Sequence, residues 1–338
     1  MKKEIFAREA SYQGMPCVEL SAGGYYALLA PEIGSSMLRL RDTINNIEVF
    51  RFNENVSIET IKSSPEVYGF PTLFLPNRLD RGELKTSDDV YYFPINEGKP
   101  LYNYLHGFLH KRKHTVKKIQ VENDSAIVKT EYIYDKNDEC YKFFPVEFKA
   151  EFTYILSESG LEQFVTMTNL SEKMLPLGLC SHTTINAPFV DGGDVSNIRL
   201  RIPVGEKCEL NERCLPTERL LALTDYDNQY KEGTINSATT SIDNDMYFAE
   251  TFKLDDEDFH GAVAEDISNG KKIFYETGDE YKFWIIWNEW GNKGYFCPEP
   301  ITWMINAPNL LLPDNATGYE ELSPKESFTA YQHFYTKA

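Results

Sequence analysis

The sequence has no run approaching the ~18 consecutive apolar residues that a membrane-spanning helix requires, so no membrane partner is expected. Its opening, MKKEIFAREASYQG, is basic but lacks the apolar core of a secretory signal. The six cysteines (17, 140, 180, 208, 214 and 297) are scattered without a CxxC pair, the pattern of reduced thiols in a cytoplasmic protein. Positive charge is scarce: 34 Lys and Arg stand against 52 Asp and Glu, a formal net charge of -18. A field of that sign repels phosphate backbones, which excludes nucleic acid as an expected partner, and disfavours anionic substrates unless a local basic pocket overrides it. No Pro- or Ser-rich linker and no repeat of 20–50 residues divides the 338 residues, so a single domain over 1–338 is expected, as a monomer or weak dimer. Long amphipathic helices are also missing; the best helix candidates, near 59–63 and 215–222, are short.

What the chain has in quantity is aromatics, 21 Tyr and 21 Phe, and a hydrophobic period of two. In VEFKAEFTY (146–154) Val146, Phe148, Ala150, Phe152 and Tyr154 alternate with Glu147, Lys149, Glu151 and Thr153, which reads as a half-buried strand. SAIVKTEYIY (125–134), IRLRIPV (198–204) and KFWIIW (282–287) read as further strands, the last buried on both faces. Polar clusters at 121–124, 135–139, 157–160 and 191–194 punctuate them as turns. Regularly spaced strands with polar turns imply an all-β sandwich or barrel.

Histidine is rare, six in all, yet YLHGFLHKRKH (104–114) places His106, His110 and His114 at intervals of four. A helix would stack them on one face, as a metal site wants. Gly107 opposes that helix at a cost of about 1 kcal/mol, and Lys111, Arg112 and Lys113 would crowd a cation. No metal site is therefore expected here.

The stretch belongs to an ordered series. Upstream lie GFPTLFLPNRLDRGEL (69–84) and YYFPINE (91–97); downstream lie MLPLGLCSHTTINAPF (174–189), IDNDMYF (242–248) and FCPEPITWMINAPN (296–309). With ALLAPEIGSSMLRL (27–40) as an opening hairpin and LSPKESF (322–328) as a closing strand, the series resembles the aldose 1-epimerase, or galactose mutarotase-like, family over essentially the whole chain. The resemblance implies a large antiparallel β-sandwich and interconversion of the α and β anomers of an aldose, with no metal and no organic cofactor.

That reaction opens the sugar ring and closes it on the other carbonyl face. A base takes the proton of the C1 hydroxyl while an acid protonates the ring oxygen, and each positioned proton carrier contributes about 10²–10⁴ in rate. By resemblance Glu299 is the base and His182 the acid; an imidazole with an ordinary pKa of about 6.5 can donate and recover a proton near neutrality. Arg78 and His106 match the family's substrate-contacting pair, with Asn77 shaping the turn and reaching the sugar. Arg78 read alone also fits a turn salt bridge with Asp80. The family's sugar-binding aspartate falls at Asp243 in preference to Asp245, while His110 and His114 are expected at the surface or behind the site. Phe74, Trp287 and Trp303 are expected in the core, and Lys111–His114 as an exposed basic loop. The sequence departs from the family at His182, where HTTINAPF replaces the usual HPYF. The alternatives are a sugar-binding module without turnover, and a hexose-6-phosphate epimerase, which would need several arginines facing the pocket.

Overall fold

A computed structural model describes residues 4–338. Alternation and turn chemistry place most strands where the period of two lies. Ser125–Tyr134 and Phe148–Ser157 pair antiparallel with Ala126 opposite Leu156, and the inward side chains of the second, Phe148, Ala150, Phe152, Tyr154 and Leu156, are fully buried. Burial of a large apolar side chain such as Phe148, Phe152 or Leu156 stabilises the fold by about 1.5–3 kcal/mol.

Three large antiparallel sheets result, with four two-stranded pairs beside them among the described residues. The first is a meander of Phe6–Tyr12, Met15–Ala22, Tyr25–Ala30, Ser36–Asp42 and Ile47–Glu48, which contains the expected opening hairpin. The second runs Thr115–Glu122, Ser125–Tyr134, Phe148–Ser157, Gly160–Asn169, Ser327–Lys337, Lys271–Thr277, Gly261–Asp266 and Ile198–Arg201. The third runs Pro216–Leu221, Val204–Leu210, Asp245–Ala249, Phe283–Trp287, Tyr295–Ile301, Cys180–Ser181 and Thr72–Leu73, with Ile185–Asn186 also paired to Tyr295–Ile301. Aromatic rings pack between the sheets: Tyr275 of the second meets Trp284 of the third edge-on at 5.9 Å, and Phe334 of the second meets Phe70, bridged to Met37 of the first, edge-on at 5.0 Å. One hydrophobic cluster extends from Val18 to Phe334. The architecture is the all-β sandwich expected from the sequence.

Two local expectations are corrected. Residues 216–221 form an edge strand whose outer positions are exposed, so nothing there needs a helical face. The helix lies further on, at Asp225–Glu232, closed by a capping box between Thr224 and Asp227 and by Gly233 at φ 70°. The histidine stretch, as Gly107 implied, is not an α-helix. His106 sits in the left-handed region at φ 66°, and only Leu109–Lys111 make a short 3₁₀ turn. Of the two placements expected for His110 and His114, the surface is ruled out, since both are buried: His110 lies with Nε2 3.9 Å from Oε2 of Glu66, and His114 lies between Tyr132 and Phe152, with ring centroids at 5.5 and 5.0 Å. The basic residues between them turn outward, Arg112 to Asp138 and Glu139, and Lys113 to Glu32.

Candidate active site

The third sheet parts in its middle. Strand Tyr295–Ile301 is fully buried and pairs on one side with Phe283–Trp287, Glu299 standing opposite Ile285. On its other side it is paired at Tyr295 and Phe296 by Asn186 and Ile185, and at Ile301 by Cys180. Between those contacts residues 181–184 leave the ladder, and Pro298 and Pro300 occupy the interval, since proline cannot donate a ladder bond. His182 emerges at this break, its backbone N–H bonded to the carbonyl of Pro71 at 3.0 Å. Its Nε2 stands 3.3 Å from Oε1 of Glu299, and the two side chains are 4% and 2% exposed.

Arg78 and His106 arrive on a neighbouring pair of short strands. Arg78–Asp80 pairs with Asn103–Leu105, setting Arg78 opposite Leu105 and His106 one residue further. The N–H of His106 binds the carbonyl of Asn77 at 2.8 Å, and both residues have positive φ, 66° and 49°. Left-handed backbone costs a non-glycine residue of order 1–3 kcal/mol and concentrates at functional sites. Here it turns the imidazole of His106 onto that of His182, with centroids 5.2 Å apart and planes at 85°. Nδ1 of His106 is buried without a hydrogen-bond partner among the described residues, a polar atom left for a ligand.

These residues line one pocket of about 220 Å³ with Asn77, Asn244, Trp287, Glu66, Val67 and Leu105. Larger clefts elsewhere on the molecule hold none of the proton-handling groups brought together here. Of the residues singled out from sequence, the pocket gathers Glu299, His182, Arg78, His106 and Asn77. Asp243 is not on its wall: its side chain lies in an adjoining cleft, and Asn244 forms the shared boundary. Asp245 is engaged by Lys207 at 2.7 Å and by the Tyr226 hydroxyl at 3.0 Å. Trp287, expected in the core, stands half-buried on the pocket wall with its ring 5.7 Å from that of His182; Phe74 and Trp303 are core residues as expected. Sequence reasoning missed Glu66 and Asn244 altogether. Asn244 lies inside the quoted IDNDMYF, whereas no motif marks Glu66.

The electrostatics follow from burial. Desolvation holds the Glu299 carboxyl well above the usual carboxylate range, opposed only by the Arg78 charge. Desolvation also pushes His182 down to about 4, and His106 well below an ordinary imidazole, helped there by the neighbouring His182, His110, Arg78 and Lys111. A carboxyl and an imidazole in contact titrate as a pair. Through the middle of the pH range this pair therefore holds one proton between two groups, the count an acid–base couple needs.

The sequence model of the Aldose 1-epimerase family matches residues 16–335. The chain belongs to the aldose 1-epimerase family. Among solved structures it is similar to a galactose mutarotase-like protein from Clostridium acetobutylicum, at 35% identity and TM-score 0.96 with 99% of each chain covered. A putative aldose 1-epimerase from Escherichia coli K12 shares the fold at 14% identity and TM-score 0.71, covering 94% of this chain and 98% of that one. An aldose epimerase homologue from C. elegans does so at 18% identity and TM-score 0.71, covering 93% and 96%.

Within this family member Arg78 does not bind Asp80, which pairs with Arg213 at 2.6 Å. Its Nε and Nη2 donate to both oxygens of Glu97 at 2.9–3.2 Å, and its Nη1 is left for Asn77 and Asn244, each at 3.3 Å. Glu97 is itself held by Asn103 Nδ2 at 2.9 Å. This clamp aims one edge of the guanidinium at the pocket. Glu97→Gln removes the charge and one of the two acceptors. It is expected to lower kcat/KM for the sugar by about 10–100-fold, as loss of a charge-assisted bond implies; an unchanged kcat/KM would show that Arg78 needs no such orientation.

Proposed function

We propose that the chain acts as its family does, interconverting the α and β anomers of an aldose by acid–base ring opening and closure. The observation that carries this reading is the contact between Glu299 and His182 on the wall of a 220 Å³ pocket that also holds Arg78 and His106. The C1 hydroxyl oxygen and the ring oxygen of an aldose are bonded to the same carbon. A base and an acid serving them must accordingly stand within a few ångströms of each other, as these two side chains do.

In the proposed reaction the shared proton, which burial keeps on Glu299 at rest, passes to His182 across their 3.3 Å contact, leaving a carboxylate that Arg78 favours. Glu299 takes the proton of the C1 hydroxyl as His182 gives its own to the ring oxygen. The C1–O5 bond breaks and the C1 carbonyl forms. After rotation about C1–C2 the ring oxygen attacks the opposite carbonyl face, and both protons return. Burial strengthens each of these contacts relative to water. Arg78, His106, Asn77 and Asn244 hold hydroxyls, and Trp287 offers an apolar face beside His182. Every step uses only these side chains. A binding module would have no use for a buried proton-sharing pair, and a phosphosugar enzyme would need more than the single arginine on this wall, whose charge Glu97 already balances.

The pair also predicts a pH profile. Below about 4 His182 acquires a second proton for the pair, and far above the ordinary carboxylate range the last one is lost. The expected kcat/KM is bell-shaped, with an acid limb near 4 and an alkaline limb set by the raised Glu299 group. A single limb at an ordinary carboxylate pKa, with no alkaline limb, would contradict it. The sugar is found by NMR saturation transfer between the α and β anomeric protons of a panel of aldoses. Transfer speeded by the protein for at least one aldose is expected; none across the panel, with binding retained, would favour the non-catalytic reading.

A further inference from the structure

Behind the acid–base pair lies a third donor that the proposed reaction does not use. Cys297 is two residues before Glu299 on the same fully buried strand, so both side chains leave the same face of the sheet. Its thiol is wholly buried and reaches only Thr184 Oγ1, at 3.6 Å. The Cys297 sulfur, a ring nitrogen of His182 and a carboxylate oxygen of Glu299 all lie within 4.8 Å of one another, the one such three-donor group among the described residues. Cys180, whose thiol approaches the other oxygen of Glu299 at 3.9 Å, is not part of it.

We propose that Cys297, His182 and Glu299 form an inhibitory site for a borderline-soft divalent cation of the zinc type. Thiolate, imidazole and carboxylate are the donors zinc takes, and three protein ligands with a fourth position open to the pocket is a familiar zinc arrangement. Charge favours it too. As the cation sheds water, the Cys297 thiol proton and the Glu299 carboxyl proton pass to solvent, and two anionic donors balance the dication. A neutral site suits a buried position better than a bare charge. Of the nearby cations, Arg78 is already paired with Glu97, and Arg51 lies over the rings of Tyr68 and Tyr295. The metal would occupy both proton carriers at once, so metal and sugar exclude each other. Binding stands independently of the proposed activity; inhibition rests on it.

The test uses the full chain, freed of metal under reducing conditions and titrated with Zn²⁺ or Co²⁺. Co²⁺ is expected to give a sulfur-to-metal charge-transfer band and tetrahedral visible absorption at one equivalent, both reversed by chelator. Zn²⁺ is expected to suppress anomer interconversion by about 10²-fold or more, since both carriers are lost, and excess sugar to oppose it. Cys297→Ser is expected to keep its activity and lose both the band and the zinc sensitivity, while Cys180→Ser keeps all three. If Cys297→Ser does not fold, Cys297→Ala serves the same purpose, and the wild-type cobalt spectrum stands without either. Absence of the band in wild type overturns the proposal, as does a band or zinc sensitivity that survives loss of the Cys297 sulfur. Protein that binds cobalt at Cys297 but turns over no sugar would leave the metal site standing and remove the proposed activity.

Discussion

Glu299→Gln is expected to slow anomer interconversion by about 10²–10⁴-fold, the contribution of one positioned proton carrier. The substitution keeps the shape of a side chain only 2% exposed and leaves an oxygen that can still accept from His182 3.3 Å away. What it removes is the ability to take a proton. Stability separates chemistry from structure here. Burial makes the ionised carboxylate costly in the folded protein, which is why the group titrates well above its usual range. A neutral amide carries no such cost, so the melting temperature near neutral pH is expected to hold or rise while the rate collapses. His182→Ala is expected to fall by a similar factor, and the double variant by little more, because the two groups act as a unit. A Glu299→Gln protein with nearly wild-type turnover would place the base elsewhere.

The second large effect is expected at Gly107, the glycine after His106. Its φ of +60° is left-handed, and a Cβ built there would lie 2.1 Å from the backbone nitrogen of Leu75 and 2.2 Å from the carbonyl oxygen of Phe74. That carbonyl also accepts the N–H of Phe108 at 2.9 Å, so the two backbones are tied together where the clash would fall. Relief must come from moving one of them. The conformational cost alone is about 1–2 kcal/mol, and with the backbone shift Gly107→Ala is expected to destabilise the fold by at least about 3 kcal/mol. Chemical denaturation reads this directly. The same shift moves His106 off His182, so kcat/KM is expected to fall even in the fraction that remains folded. A variant with wild-type stability would mean that the segment around residues 74–75 yields freely, contrary to its burial.

What the sequence disclosed depended on whether a residue's environment is periodic. Ser125–Tyr134 was readable to the residue because one face of that strand is wet and the other dry. Pro216–Leu221 was not, since an edge strand with four exposed positions has neither a helical nor a strand period. The helix at Asp225–Glu232 did carry a signal, Thr224 three residues before Asp227 with Gly233 beyond, in a segment too short and polar for hydrophobic periodicity to mark. Five residues of the candidate pocket lay in motifs whose order is set by the whole fold, so they were legible together although each motif is weak alone. Asp243 came from the resemblance alone, and no local pattern marks its neighbour; Asn244, with φ 56°, is the residue on the pocket wall. Trp287 belongs to a buried run, and only the strand's ending there exposes one face of it. Glu66 reaches the pocket from the short 3₁₀ turn Pro65–Val67, just ahead of the motif that carries Asn77 and Arg78, a placement no local pattern records.

The most direct test of the central claim is polarimetry of freshly dissolved α-D-galactose and α-D-glucose with the wild-type protein, against buffer and against Glu299→Gln. The account predicts that rotation reaches its equilibrium value much faster with wild type for at least one of the two sugars, and at close to the buffer rate with the variant. Equilibration by wild type no faster than buffer for both sugars, or equally fast with the variant, would contradict it.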